Sequence, residues 1–306
     1  MSARRFLVYY HRVSSRTRDP FRLSVSPANF AAHLEVFREL CDVVPATAVV
    51  GRRPLARPRM AITFDDGYAD NVACAGQLLH QHGLPATFFV TSGPIDEQRE
   101  LWWDQLEHII WEASPVERHI RLVVGGQPLV ADFGDPDGRS RAAVAVQRRI
   151  IALPHTEIAD TLENLRMQLG SPEPQMCDQH RIMSWDDVRA AAAIPGIDLG
   201  GHAISHPRLG DLTPDAQQQE VAGGRDRLRS ETGHAVRAFA YPFGDRRSFS
   251  RETQRAVVGA GFDHAFTTDH GPVGWWTERM RIPRYRVEDW TAEELQRALR
   301  GWGLLS

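Results

Sequence analysis

Lysine is missing from the chain: all 36 basic residues among its 306 are arginine. We read this as compositional bias, although arginine does suit contacts with carboxylate or phosphate. Against 39 acidic residues the formal net charge is only −3, which argues against a nucleic-acid-binding surface. Cysteine is almost as scarce. Cys41, Cys74 and Cys177 are odd in number and scattered, so they suggest neither a disulfide framework nor a zinc–thiolate cluster. No apolar run approaches the length of a membrane span. Phe6 to Tyr10 is too short for a secretory apolar core, so no amino-terminal signal is read and a cytoplasmic location is expected. No internal repeat or low-complexity tract is seen. Hydrophobic residues make up 42% of the chain, enough for a substantial core, and the length suits one α/β barrel.

The most informative stretch is Ile62-Thr63-Phe64-Asp65-Asp66-Gly67-Tyr68. Met60 to Phe64 reads as a buried strand, and two adjacent carboxylates end it. Burying neighbouring anions without a cation costs several kcal/mol, so the pair implies a counter-charge, with a metal ion as one candidate. Taken alone, Asp-Asp-Gly is equally well an ordinary turn. Further on, His202-Ala203-Ile204-Ser205-His206-Pro207 places two imidazoles four residues apart after an apolar run, a spacing that lets both face one cation. A third segment, Phe239-Ala240-Tyr241-Pro242-Phe243-Gly244, ends another apolar strand.

With these three segments in this order, the chain resembles the polysaccharide deacetylases, the family 4 carbohydrate esterases. The resemblance runs from Leu7-Val8-Tyr9-Tyr10-His11-Arg12-Val13 to about Val287, and is less familiar between about Pro115 and His180. It implies a distorted (β/α)7 barrel, here carrying a mostly helical insertion at about 114–180 within a single domain. That segment holds a possible hairpin at Gly125-Gly126, helical patterns near 139–153 and 155–169, and a break at Ser171-Pro172-Glu173-Pro174. Elsewhere strands alternate with helices, as a parallel sheet requires. Ser26-Pro27, Ser184 and Thr213-Pro214 read as helix starts, Ala69 to His82 as a helix closed by Gly83, and Thr291 with Glu294 as a capping box. Strands are expected at Phe6–Tyr10, Pro85–Thr91, Ile197–Gly200, Val236–Tyr241, within Gly261–Thr268, and at Arg281–Val287. Trp102 and Trp103 are read as core in preference to a sugar-stacking surface.

The resemblance also implies roles. Asp66, His202 and His206 would ligate one divalent metal, zinc foremost, with cobalt, nickel or iron accepted by the same donors. Asp65 would be the base, and the Phe243 backbone N–H an oxyanion donor. Two departures stand out. Ala240 occupies the position of a family arginine that pairs with the base, and no Leu-His-Asp segment carrying the family's acid histidine occurs. Arg284, in Arg281-Ile282-Pro283-Arg284, is the candidate to orient Asp65. For the acid, His270 is the candidate, with His264 and His11 also available, although a solvated surface histidine is the reading of His270 that exposure statistics favour. The expected activity is hydrolysis of an N-acetyl or N-formyl group on an amino sugar, with an N-acylated saccharide as partner. A metal-containing glycan-binding protein, or hydrolysis of another C–N amide bond, is the alternative.

Overall fold

The computed structural model describes residues 4–51, 55–114, 117–173 and 178–305; Pro115, Pro174 and Cys177 lie outside them. The seven principal strands are β1 (Arg5–Tyr10), β2 (Arg59–Phe64), β3 (Ala86–Val90), β4 (Ile197–Gly201), β5 (Ala238–Ala240), β6 (His264–Phe266) and β7 (Tyr285–Arg286). They form one parallel sheet in the order β6-β5-β4-β3-β2-β1-β7, with Asp42–Val43 paired beside β2. Short of Tyr285, Ile282 bridges to Phe266 on β6, so the segment 282–286 links the two edges of the curled sheet. The sequence predicts a longer last strand, Arg281–Val287. Pro283, which has no N–H to donate, stands where this segment passes from β6 to β1. The architecture is the distorted (β/α)7 barrel that the resemblance implies.

Two faces follow from the period-2 geometry of strands. On β2, Met60, Ile62 and Phe64 point one way; Phe64 meets the rings of Tyr10, Phe30 and Phe88. Ala61, Thr63 and Asp65 point the other way. Ala61 joins Leu7, Phe89, Ala240, Phe266 and Ile282 in the barrel interior. Thr63 and Asp65 therefore lie above that core, at the carboxyl ends of the strands, where parallel sheets place their sites.

The helices flanking this sheet include α1 (Pro27–Leu40), α2 (Gln77–His82), α3 (Trp185–Ala193), α4 (Pro214–Thr232), α5 (Arg251–Gly259) and α6 (Ala292–Gly301). Ser26, Ser184, Thr213 and Thr291 cap α1, α3, α4 and α6 through their hydroxyls. One difference lies before α2: residues Asn71–Gly76 wind as a wider π-helical turn. The Asn71 side chain there is tied to the His11 carbonyl at 2.8 Å. Another is α5, absent from the sequence reading because its capping box uses Thr253 where a Glu or Gln would have signalled it.

The chain divides into two compact units, one of Met1–Arg16, Leu23–Gln98 and Ile182–Ser306, the other of Thr17–Arg22 and Arg99–Arg181. The second holds helices Trp102–Glu112, Pro136–Ile150 and Ile158–Leu169, and an antiparallel hairpin, His119–Val124 with Gln127–Asp132, turning at Gly125-Gly126. Trp102 and Trp103 are both buried in it, edge to face. No helix among the described residues is long and apolar enough to cross a membrane. Cys41 and Cys74 are free thiols.

Gly200 tests how tightly the barrel is filled. A Cβ there would stand 3.0 Å from the Ala238 carbonyl oxygen and inside the van der Waals envelope of the Phe89 ring. Gly200→Ala is expected to destabilise the protein by about 1–3 kcal/mol. Gly301→Ala, where a Cβ meets nothing within 4 Å, should be neutral or slightly stabilising. Thermal melting of the two variants beside the parent checks this; a parent-like midpoint for Gly200→Ala refutes it.

Candidate active site

The tip of β2 turns sharply. The Asp65 N–H still follows the β1 pairing and donates to the Tyr10 carbonyl at 3.0 Å. Asp66 then takes φ 76° and Gly67 φ 85°. A Cβ on Gly67 would lie 3.4 Å from the Val90 Cα, so the turn needs glycine both for its conformation and for its closeness to β3. The two carboxylates are consequently sent to different partners.

Asp65 faces Arg284. The guanidinium donates to both carboxylate oxygens, Nη1 to Oδ1 at 2.7 Å and Nη2 to Oδ2 at 2.8 Å. Its Nε donates to the Thr267 carbonyl and Nη1 also reaches Thr63 Oγ1. The Tyr9 and Phe89 rings flank it at 4.8 and 5.5 Å from Cζ. Arg284 is completely buried and Asp65 nearly so. Burial pushes the Asp65 carboxyl upward, but Arg284, with smaller help from His202 and His11, holds it below the ordinary aspartate range.

Asp66 faces His202 and His206. Its Oδ1 stands 3.3 Å from Nε2 of each ring, and the three donor atoms lie within 4.8 Å of one another. The His202 Nδ1 is 2.7 Å from the Ala240 carbonyl, which can only accept, so Nδ1 carries the proton and the Nε2 lone pair faces Asp66. A separation of 3.3 Å is long for a hydrogen bond. It matches the spacing of about 3.4 Å between donors placed about 2.0–2.1 Å from one tetrahedral cation. The donor set therefore fits a divalent metal. Burial opposes the charged forms here too. The imidazoles nonetheless hold Asp66 far below its usual range, while Asp66 and Asp65 raise His202; His206 stays lowered by burial.

Phe243 borders this group, its ring 4.8 Å from that of His206. The residue has φ 61° in a tight turn closed by Gly244 N–H to the Pro242 carbonyl, and its own carbonyl accepts from Thr268 Oγ1. Among the described residues its N–H has no acceptor, leaving a donor beside the histidines.

Among the remaining histidines the sequence candidates separate. Arg284 points into the barrel, so its neighbour Tyr285 points out. The His270 ring packs on Tyr285 at 5.1 Å and on Trp302 at 5.8 Å, and the structure does not bring it to this group. His11, just past the end of β1, lies two residues on from Tyr9 and so on the same inner face, its ring 5.6 Å from that of Tyr9. Burial lowers its pKa to about 4, against the pull of Asp66 and Asp65. His264 lies at the start of β6, the opposite end from the site.

The sequence reading did not single out a second grouping, in the other unit. Asp104, Glu107 and His180 are buried with donor atoms within 4.8 Å of one another, and His180 Nδ1 is 3.4 Å from Glu100. The signal in the chain is the i, i+3 spacing of Asp104 and Glu107, on the same helix face. An imidazole among carboxylates reads most simply as a buried ionic network.

Comparison with known proteins bears on the barrel and its motifs. A polysaccharide deacetylase family model matches residues 52–119 and 174–265, just over half of the chain. YxkH of Bacillus subtilis (strain 168), which carries a polysaccharide deacetylase name, is 27% identical over 118 residues. That alignment spans 37% of this chain and 41% of YxkH. In fold, the chain is similar to the Streptococcus pyogenes deacetylase PplD, solved in complex with acetate. The TM-score is 0.63 at 15% identity, covering 97% of this chain and 98% of that one. It is also similar to IcaB from Ammonifex degensii, with a TM-score of 0.61 at 17% identity, covering 99% and 98%. By the extent of the family match, joined to the fold, this chain belongs to the polysaccharide deacetylase family.

Proposed function

We propose that the protein is a metal-dependent hydrolase that removes an N-acetyl or N-formyl group from an amino sugar in a saccharide or a glycan-biosynthesis intermediate. The observation that carries this reading is the split of two adjacent carboxylates. Asp66 joins two imidazoles in a metal-ligand set, while Asp65 is held apart as a free base by Arg284. A protein that only bound glycan would have no need of a second buried carboxylate kept ionised at such cost.

In this reading Asp66, His202 and His206 hold one divalent cation, zinc foremost. When bound, the cation supplies Lewis acidity toward the acyl oxygen and lowers the pKa of water. Asp65 takes the proton from the attacking water, and Arg284 keeps Asp65 unprotonated and correctly aimed. The Phe243 N–H donates to the oxygen on which negative charge develops. As the C–N bond breaks, the proton that Asp65 took from the water passes to the leaving amine through the His11 imidazole, which its lowered pKa leaves neutral at rest and able to accept it. The products are a carboxylate and a free amino sugar.

The direct test is to screen N-acetylated and N-formylated saccharides with metal-reconstituted protein, detecting released acid by mass. On a substrate so identified, Asp65→Asn is expected to keep the parent's metal content and lose about 10²–10⁴-fold in turnover. His202→Ala should lose the metal itself. Near-normal turnover by metal-loaded Asp65→Asn would remove Asp65 from the role of base.

The pH profile reports on Arg284. The guanidinium lowers the Asp65 pKa, so its removal must raise it. Arg284→Met should therefore move the acidic limb of kcat/KM upward, by about 1–3 pH units. An unmoved limb would show that Arg284 does not set the charge of Asp65.

The acid assignment is settled by a matched pair. His11→Ala should cost about 10²-fold or more in kcat, whereas His270→Ala, on the outer face of the barrel, should stay within about twofold of the parent. The reverse ranking would return the acid to His270.

A further inference from the structure

We propose that Glu220, on α4, is the positioning residue that holds the loop between His202 and His206 in its ligating shape. This rests on the metal reading above and extends it to a residue outside the motifs. The loop needs holding. Ala203 and His206 both sit at positive φ, 63° and 60°, although neither is glycine. Each such residue costs of order 1–3 kcal/mol and persists only where its surroundings over-determine it.

Glu220 supplies that determination from one side. Its Oε2 accepts the backbone N–H groups of both Ile204 and Ser205 at 2.9 Å, and its Oε1 accepts the Ser205 hydroxyl at 2.7 Å. Three donors from two consecutive loop residues thus converge on one carboxylate, with charge assistance. One helical turn on, α4 has Gly224, where a Cβ would stand 3.0 Å from the Ala203 carbonyl carbon and oxygen. This face of α4 is shaped to seat the loop. From the other side the Ser92 and Gly93 N–H groups donate to the Ala203 and Ile204 carbonyls, the latter at 2.7 Å. The peptides joining the two histidines are gripped on both edges: the Thr91 hydroxyl donates to the His202 carbonyl at 3.3 Å, and Glu220 is the side chain that takes the N–H groups in the middle of the loop.

The test uses full-length protein stripped of metal and titrated with Co²⁺, reading affinity and the visible absorption band that reports ligand geometry. Glu220→Ala is expected to weaken Co²⁺ binding about 10–100-fold, the range known for partners that orient metal ligands, and to change the band. Glu220→Gln can still accept both N–H groups and donate to Ser205, so it should keep the parent's band and bind within about fivefold, losing only charge assistance. Should the alanine variant fail to fold, Glu220→Asp serves: it keeps the charge but withdraws the carboxylate by one methylene, and should bind Co²⁺ more weakly than Glu220→Gln. Parent-like affinity and band in Glu220→Ala or Glu220→Asp overturn the proposal, as does a Gln variant no better than Ala. A parent protein that takes up no Co²⁺ overturns the metal reading itself, and this inference with it.

Discussion

Two neighbouring carboxylates at one strand tip, both buried, cannot share one counter-charge. Asp65 and Asp66 are each about 3% exposed, and a buried charge deprived of its partner costs about 3–5 kcal/mol. The left-handed turn at Asp66 and Gly67 resolves the conflict by aiming the side chains apart. One anion receives a guanidinium, the other a pair of imidazoles. Much of what surrounds the strand ends exists to keep these two neutralisations separate.

Strand alternation decides that Arg284 can do this. Thr63 and Asp65 share the inner face of β2, and β7 lies one strand away, beyond β1. Arg284 crosses that strand over the ring of Tyr9. Each of its three nitrogens is engaged, by Thr267, Thr63 and Asp65, so the guanidinium has one orientation open to it. Ala240, small and fully buried, packs in the barrel core, and its carbonyl fixes the tautomer of His202. A strand that lacks the expected arginine thus still serves the site through its backbone.

Strain gathers at the same end of the barrel. Asp66, Ala203, His206 and Phe243 follow three different strands, β2, β4 and β5, and all four have φ between 60° and 76°. Such residues cluster where the surrounding structure holds chemistry in place. At each turn a neighbour supplies the restraint: β3 beside Gly67, α4 and the Ser92–Gly93 segment at the histidine loop, Thr268 at Phe243.

Local chemistry was legible in the chain. Short continuous apolar runs marked the strands, hydroxyl caps marked α1, α3, α4 and α6, and the order of three motifs pointed to the barrel; these signals act over a few residues and survive without tertiary context. Helix α5 escaped because its cap pairs Ser250 with Thr253, outside the usual pattern. The choice among histidines also escaped. His270 and His11 each follow a strand, and only the inward or outward facing of the adjoining residues, fixed by sheet register, sends one to the outer surface and the other to the inner face beside Tyr9. The same holds for the contact between Asp65 and Arg284, separated by 219 residues of chain. The sequence by itself determined which residue types stand at the strand ends. Only the tertiary structure decided which of them meet, because long-range pairing is set by strand order and register, to which single-residue patterns carry no reference.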